Sequence, residues 1–160
     1  MDKSTYDTLK SKGFEPEQPL QKKKMVSVKE MGKKYLLNLK SQYSTVVFQV
    51  DGNIIKKGNK CDKLILVNTK STPVEEWTQI FVELKGTDSL HGMEQLYNTV
   101  TNALFESTTN KVRKARLVAT SIPSYRANPK IEKLRKSFKK LGIEYKTIKP
   151  CTNQRQADNL

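Results

Sequence analysis

Apolar positions follow two periods along this chain. In the stretch 27–39, Val28, Met31, Tyr35 and Leu39 recur at three- and four-residue intervals. Ser27 with Glu30 three residues later has the form of a capping box, so the spacing predicts a first helix, weakened by Gly32. Val46-Val47-Phe48-Gln49-Val50 is β-branched and aromatic, Asp51-Gly52-Asn53 is turn chemistry, and Ile54-Ile55 resumes the apolar run; together they predict a hairpin. After a break at Gly58-Asn59, Lys63-Leu64-Ile65-Leu66-Val67 reads as a buried third strand with Asp62 at its entrance. A polar loop from Asn68 to Glu76 leads to another strand, Thr78 to Lys85.

The helical period returns between Asp88 and Glu106, where Met93, Leu96, Val100 and Leu104 define one buried face with Tyr97 beside them. Arg116 to Ile122 is a β-branched run closed by Pro123-Ser124. A last helix is framed by Asn128 as N-cap, Pro129 at its first position and Gly142 at its end, with Ile131, Leu134, Phe138 and Leu141 as its apolar stripe. Ile143 to Ile148 is a final strand. The order α-β-β-β-α-β-α-β predicts an α/β fold, a mixed central sheet flanked by helices, with no internal repeat. Residues 1–24 lack a sustained apolar period and read as a basic, partly flexible arm; residues 25–150 form the domain, and 151–160 a polar tail.

At 160 residues the chain has room for one domain, and 36% hydrophobic residues supply a modest core. No run approaches the ~18 apolar residues of a membrane-spanning helix, and the first residues are too polar for a signal peptide, so a cytoplasmic protein is expected. Cys61 and Cys151 stand far apart with no second pair, which suggests free thiols rather than a zinc site or a disulfide framework. Neither GxGxxG nor GxxxxGK[ST] occurs, which argues against dinucleotide and P-loop chemistry. Thirty Lys and Arg face sixteen Asp and Glu, a formal net charge of +14. Such an excess favours a polyanion, nucleic acid before others, because neutralising phosphates releases condensed counterions.

Chemistry concentrates in Ile80-Phe81-Val82-Glu83-Leu84-Lys85-Gly86. A side-chain period of two sends Ile80, Val82 and Leu84 to one face and Phe81, Glu83 and Lys85 to the other. Charges at the end of an apolar strand carry a desolvation cost and so need a reason, and Asp62 at the start of the preceding strand would bring a second carboxylate to the same end. Hard divalent ions take such oxygen ligands.

Asp62 followed by Glu83-Leu84-Lys85, in the words KCDKLILVN and IFVELKGTD, resembles the motif of the PD-(D/E)XK nuclease superfamily, with its restriction-endonuclease-like fold. The resemblance spans about residues 46–148, since the helix, strand, helix and strand after ELKG also follow the superfamily order. Cys61 stands where the motif's name has Pro. The resemblance implies an Mg²⁺- or Mn²⁺-dependent endonuclease that hydrolyses phosphodiester bonds, in DNA before RNA. It makes Asp62, Glu83 and the Leu84 carbonyl metal ligands and Lys85 the catalytic lysine. It also makes Gln95, on the following helix, a contact to metal-bound water, and Glu30 an additional ligand, although its capping box already accounts for Glu30. Glu94 and His91 read more simply as surface residues.

Lys33, Lys34, Lys56, Lys57 and Arg126 are the candidate nucleic-acid contacts, the last three being loop residues near strand ends. The lysines of the last helix leave its apolar stripe free and read as a solvated face. Aromatics are too sparse for a base-stacking sheet. A twofold homodimer is the arrangement expected of a small nuclease that cuts both strands. The competing reading is a non-catalytic basic nucleic-acid-binding module of the same fold.

Overall fold

Two antiparallel strands, β1 (Gln18–Glu30) and β2 (Lys33–Gln49), occupy the place of the expected first helix in the computed structural model. The structure describes residues 3–58, 60–84, 88–120, 128–152 and 156–160. A short helix α1 (Thr5–Ser11) precedes β1, and β3 (Lys63–Lys70), β4 (Glu76–Leu84), α2 (Ser89–Val100), a 3-10 turn (Ala103–Phe105), β5 (Asn110–Val118), α3 (Pro129–Lys140), β6 (Ile143–Ile148) and β7 (Asp158–Asn159) follow. The strands form one mixed sheet in the order β1-β2-β3-β4-β5-β6, with β7 parallel to β2. Pairing is antiparallel from β1 to β4 and parallel from β4 to β6.

The expected first helix fails for a physical reason visible in burial. Val26, Val28, Tyr35, Leu37 and Leu39 are buried while Lys29, Lys34 and Lys40 are exposed, an alternation of two that only a strand can present to a core. Met31-Gly32, both at positive φ, close β1 onto β2 as a two-residue turn, so Glu30 ends a strand and caps nothing. The expected hairpin at Ile54-Ile55 is likewise absent. Those residues belong to a turn in which Ile55 N–H donates to the Val50 carbonyl and Gly52 N–H to that of Ile55.

The long hairpin is bent. Register shifts between Lys23 and Met25, opposite a stretch of β2 in which Lys40 sits at φ 65°, turn its outer half back across the sheet. There Val26, Val28, Tyr35, Leu37 and Leu39 pack on Ile65, Val67, Ile80, Val82, Leu84 and Val118. The Gln18 side-chain amide donates to the Ser27 carbonyl at 2.8 Å, which pins the returning half of β1 to its own beginning. The opposite face of the sheet carries α1, α2 and α3 over Phe48, Leu64, Leu66, Phe81 and Leu117, with Phe138 of α3 packed against them. Each fully buried side chain of this size contributes about 1.5–3 kcal/mol, so neither face is optional.

The two chain ends are built into the domain. Leu9 of α1 is buried, and β1 already begins within the 1–24 segment. At the other end β7 pairs with Leu37 and Asn38, and Leu160 packs on the hairpin core. Asp158 accepts from Tyr35 Oη and from Arg116 Nε, each at 2.6 Å. Arg116 is fully buried, and its Nη1 donates to the Glu144 carbonyl at 2.7 Å. The last helix matches its expectation: the Asn128 side chain accepts from Lys130 N–H, Pro129 opens it and Leu141 ends it.

Candidate active site

β3 and β4 run antiparallel with Lys63 opposite Val82, which brings Asp62 and Glu83 together one step further out. Ile80, Val82 and Leu84 turn to the hairpin side and Phe81 to the helix side, as the strand alternation predicts. Glu83 is buried, with 2% exposure. The Leu84 N–H donates to Asp62 Oδ2 at 2.9 Å, and the Asp62 and Glu83 carboxyl groups hydrogen-bond to each other. Burial raises the Asp62 carboxyl above its ordinary range; the bonds from Leu84 and Glu83 oppose that rise, and the negative charges of Glu30 and Asp51 add to it. Two carboxyls in such contact each disfavour ionisation of the other, so they behave as one unit.

The chain entering Asp62 is fixed from α2. Cys61 N–H donates to Thr99 Oγ1 at 2.8 Å, and Thr99 Oγ1 in turn donates to the Gln95 carbonyl at 2.8 Å. Gln95 Nε2 donates to the Lys60 carbonyl at 3.2 Å, while its Oε1 is buried with no hydrogen-bond partner among the described residues. Val50 N–H donates to the Asp62 carbonyl at 2.9 Å and closes the loop from β2. Both cysteines are free and buried, and burial, then the nearby Glu83 charge, pushes the Cys61 thiol well up, which disfavours its thiolate form.

A third acidic residue arrives through the hairpin. Glu30 Oε2 lies 3.2 Å from Lys63 Nζ, which also meets Glu17 Oε1 at 2.6 Å and the Gln49 side-chain carbonyl. Lys63 is buried, with 2% exposure, next in the chain to Asp62. Glu30 therefore stands near the carboxyl pair as an ion-paired neighbour. Sequence reading missed Lys63, Glu17 and Thr99. The one signal for Lys63 was its place at the start of a strand expected to be buried, where a charge needs partners.

The remaining candidates divide by position. Lys33 and Lys34 flank the hairpin turn, the first half-buried and the second exposed, and Lys56 and Lys57 are exposed in the loop leading to Asp62. Glu94 lines a groove between α2 and α3 with Tyr97 and Lys133. His91 gives its backbone N–H to Asp88, the N-cap of α2. Lys85 and Arg126 lie outside the described residues.

Among the described residues no three His, Cys, Asp or Glu side chains are gathered closely enough to hold a metal by themselves, and no helix is long and apolar enough to cross a membrane. The donor set of two carboxyls and one backbone carbonyl nevertheless suits a hard divalent ion, which fills its other positions with water and substrate oxygens. No family model, curated protein or solved structure matches the chain.

Proposed function

We propose that the protein is a metal-dependent endonuclease of the PD-(D/E)XK type, acting on nucleic acid and on DNA before RNA. The observation that carries this reading is the meeting of Asp62 and Glu83 at one end of two apolar strands, with the Asp62 carboxyl raised by burial. Two carboxyls held together, one buried and one partly so, mark a place where a cation is electrostatically favoured. Two further features support it: the elements after the motif, α2, β5, α3 and β6, keep the order the resemblance implies, and the chain carries a net charge of +14.

Asp62 and Glu83 would hold Mg²⁺ or Mn²⁺, with the Leu84 carbonyl as a third oxygen and Glu30 beside them. When bound, the ion supplies Lewis-acid activation of water and of the phosphodiester. The chain's own residues do the rest. Leu84 N–H orients the Asp62 carboxylate, and Thr99 and Gln95 hold the backbone that delivers it. Gln95 Oε1, buried without a partner among the described residues, is an acceptor available to a water proton. Lys85, two residues after Glu83, keeps the role the motif implies: steadying charge on the phosphate and helping to deprotonate water. Lys33, Lys34, Lys56 and Lys57 contact the phosphate backbone, and a twofold dimer would present two such sites to a duplex.

The test is cleavage of labelled single-stranded, duplex and branched DNA, with RNA alongside, in Mg²⁺ or Mn²⁺ against chelator. Cutting that requires the metal supports the nuclease. Salt-sensitive binding without cutting, indifferent to metal, replaces it with the non-catalytic binding module.

A further inference from the structure

The turn joining β1 to β2 concentrates three local costs. Met31 sits at φ 47° and Gly32 at φ 78°, the two-residue turn geometry that favours Asn-Gly, and a long unbranched side chain gains nothing from the left-handed region. The Met31 side chain is 89% exposed, an apolar group held out in water. Immediately behind it Lys29 and Lys34 stand directly opposite each other across the strands, both exposed, a like-charge pair that opposes hairpin formation.

The exposed side chain and the paired lysines are both relieved by one kind of partner, a polyanion with a stacked apolar interior, while the turn backbone holds the methionine outward. Glu30, on the core-facing side of the same turn, is tied to Lys63, and Lys63 is the neighbour of Asp62. The turn therefore lies near the carboxyl pair, where the Glu30 charge acts on Asp62. Its backbone is held from below by Val28 and Tyr35, paired across the hairpin and buried, so the tip is presented on a rigid support.

We propose that Met31 is an apolar wedge that enters between adjacent base pairs of duplex DNA beside the scissile phosphate, with Lys29 and Lys34 on the flanking phosphates. Apolar side chains used in this way unstack a base step and kink the duplex, and the bend lets more of the protein surface engage. The inference rests on the nuclease reading and deepens it: the substrate is a duplex that can be opened at one step. Lys29, Lys34 and Met31 together make the hairpin a distorting arm, and the cut falls where the stack is broken.

The experiment uses duplex DNA carrying 2-aminopurine, whose emission rises when it is unstacked, mixed with the full chain in chelator so that binding proceeds without cutting. Wild type and Met31→Leu raise the emission; Met31→Asn leaves it at the level of free duplex and binds about tenfold more weakly. Met31→Asn places a favoured residue in the turn, so its thermal midpoint equals or exceeds that of the wild type, and a folding defect cannot produce the loss. Binding of the wild type without a rise in emission, or an equal rise with Met31→Asn, overturns the wedge and leaves the nuclease reading standing. Failure of the wild type to bind any nucleic acid overturns both.

Discussion

Lys63 Nζ lies 3.2 Å from Glu30 Oε2, joining the first residue of β3 to the last residue of β1 across the face of the sheet. The same ammonium meets Glu17, just before β1 begins, so a single buried cation holds both ends of a strand that has folded back on itself. Lys63→Met leaves two half-exposed carboxylates unpaired and should cost about 1–3 kcal/mol. Hydrogen exchange locates the effect: amides of residues 25–38 exchange faster, whereas those of β3 and β4 keep their protection. Uniform loss of protection would mean that Lys63 supports the whole sheet and does not staple the hairpin.

Asp158 gives the fold its acid sensitivity. Burial by itself would raise this carboxyl, but the Tyr35 hydroxyl and the Arg116 guanidinium outweigh it and hold the group below its ordinary range. A depressed folded-state value contributes stability that is present above the unfolded value, about 3.9, and is lost as pH falls through the folded value. Asp158→Asn leaves buried Arg116 with only the longer 3.6 Å pair to the Glu144 carboxylate among the described residues and should lower stability at pH 7 by about 2–3 kcal/mol. Urea unfolding at pH 7 and pH 3 checks the sign: the gap between wild type and variant narrows at the lower pH.

Thr99 is expected to act on the reaction through position. Its hydroxyl receives the Cys61 N–H, one residue before Asp62, so Thr99→Val leaves a buried backbone donor unpaired and costs about 1–3 kcal/mol. The cleavage rate should fall by roughly tenfold or more with nucleic-acid affinity unchanged, because the displaced group is the backbone that aims Asp62 and not a phosphate contact. A matching loss of affinity would place Thr99 in substrate binding.

Much of the second half of the fold was legible in the sequence. α3 is marked by Asn128, Pro129 and Gly142, β3 and β4 carry short apolar runs, and β6 alternates Ile143, Tyr145 and Thr147 with Glu144 and Lys146, which leaves little choice of element. The meeting of Asp62 with Glu83 follows from antiparallel pairing of two recognisable strands. The first half was misread because Val28, Met31, Tyr35 and Leu39 fit a helical period by coincidence, while the true alternation of two is broken at Met31-Gly32 and again by the bend at Lys40. A methionine in a left-handed turn gives no turn signal. β5 was read as starting at Arg116 but begins at Asn110, its first residues being basic, and buried Arg116 is explained by the distant partners Glu144 and Asp158, 28 and 42 positions away. The acidic tail strand and the Lys63 staple depend on long-range ion pairs, which no local pattern announces.

The measurement that tests the central claim most directly is cleavage of labelled duplex DNA by the wild type and by Glu83→Gln, in Mg²⁺ and in chelator, with retardation of the same duplex scored in parallel. The account predicts that the wild type cuts only with the metal and that Glu83→Gln falls by at least about a hundredfold while still retarding the duplex. Asp62→Asn should behave alike, since the two carboxyls work as one unit. Cutting that survives Glu83→Gln, or a wild type that binds without cutting under every metal condition, would contradict it.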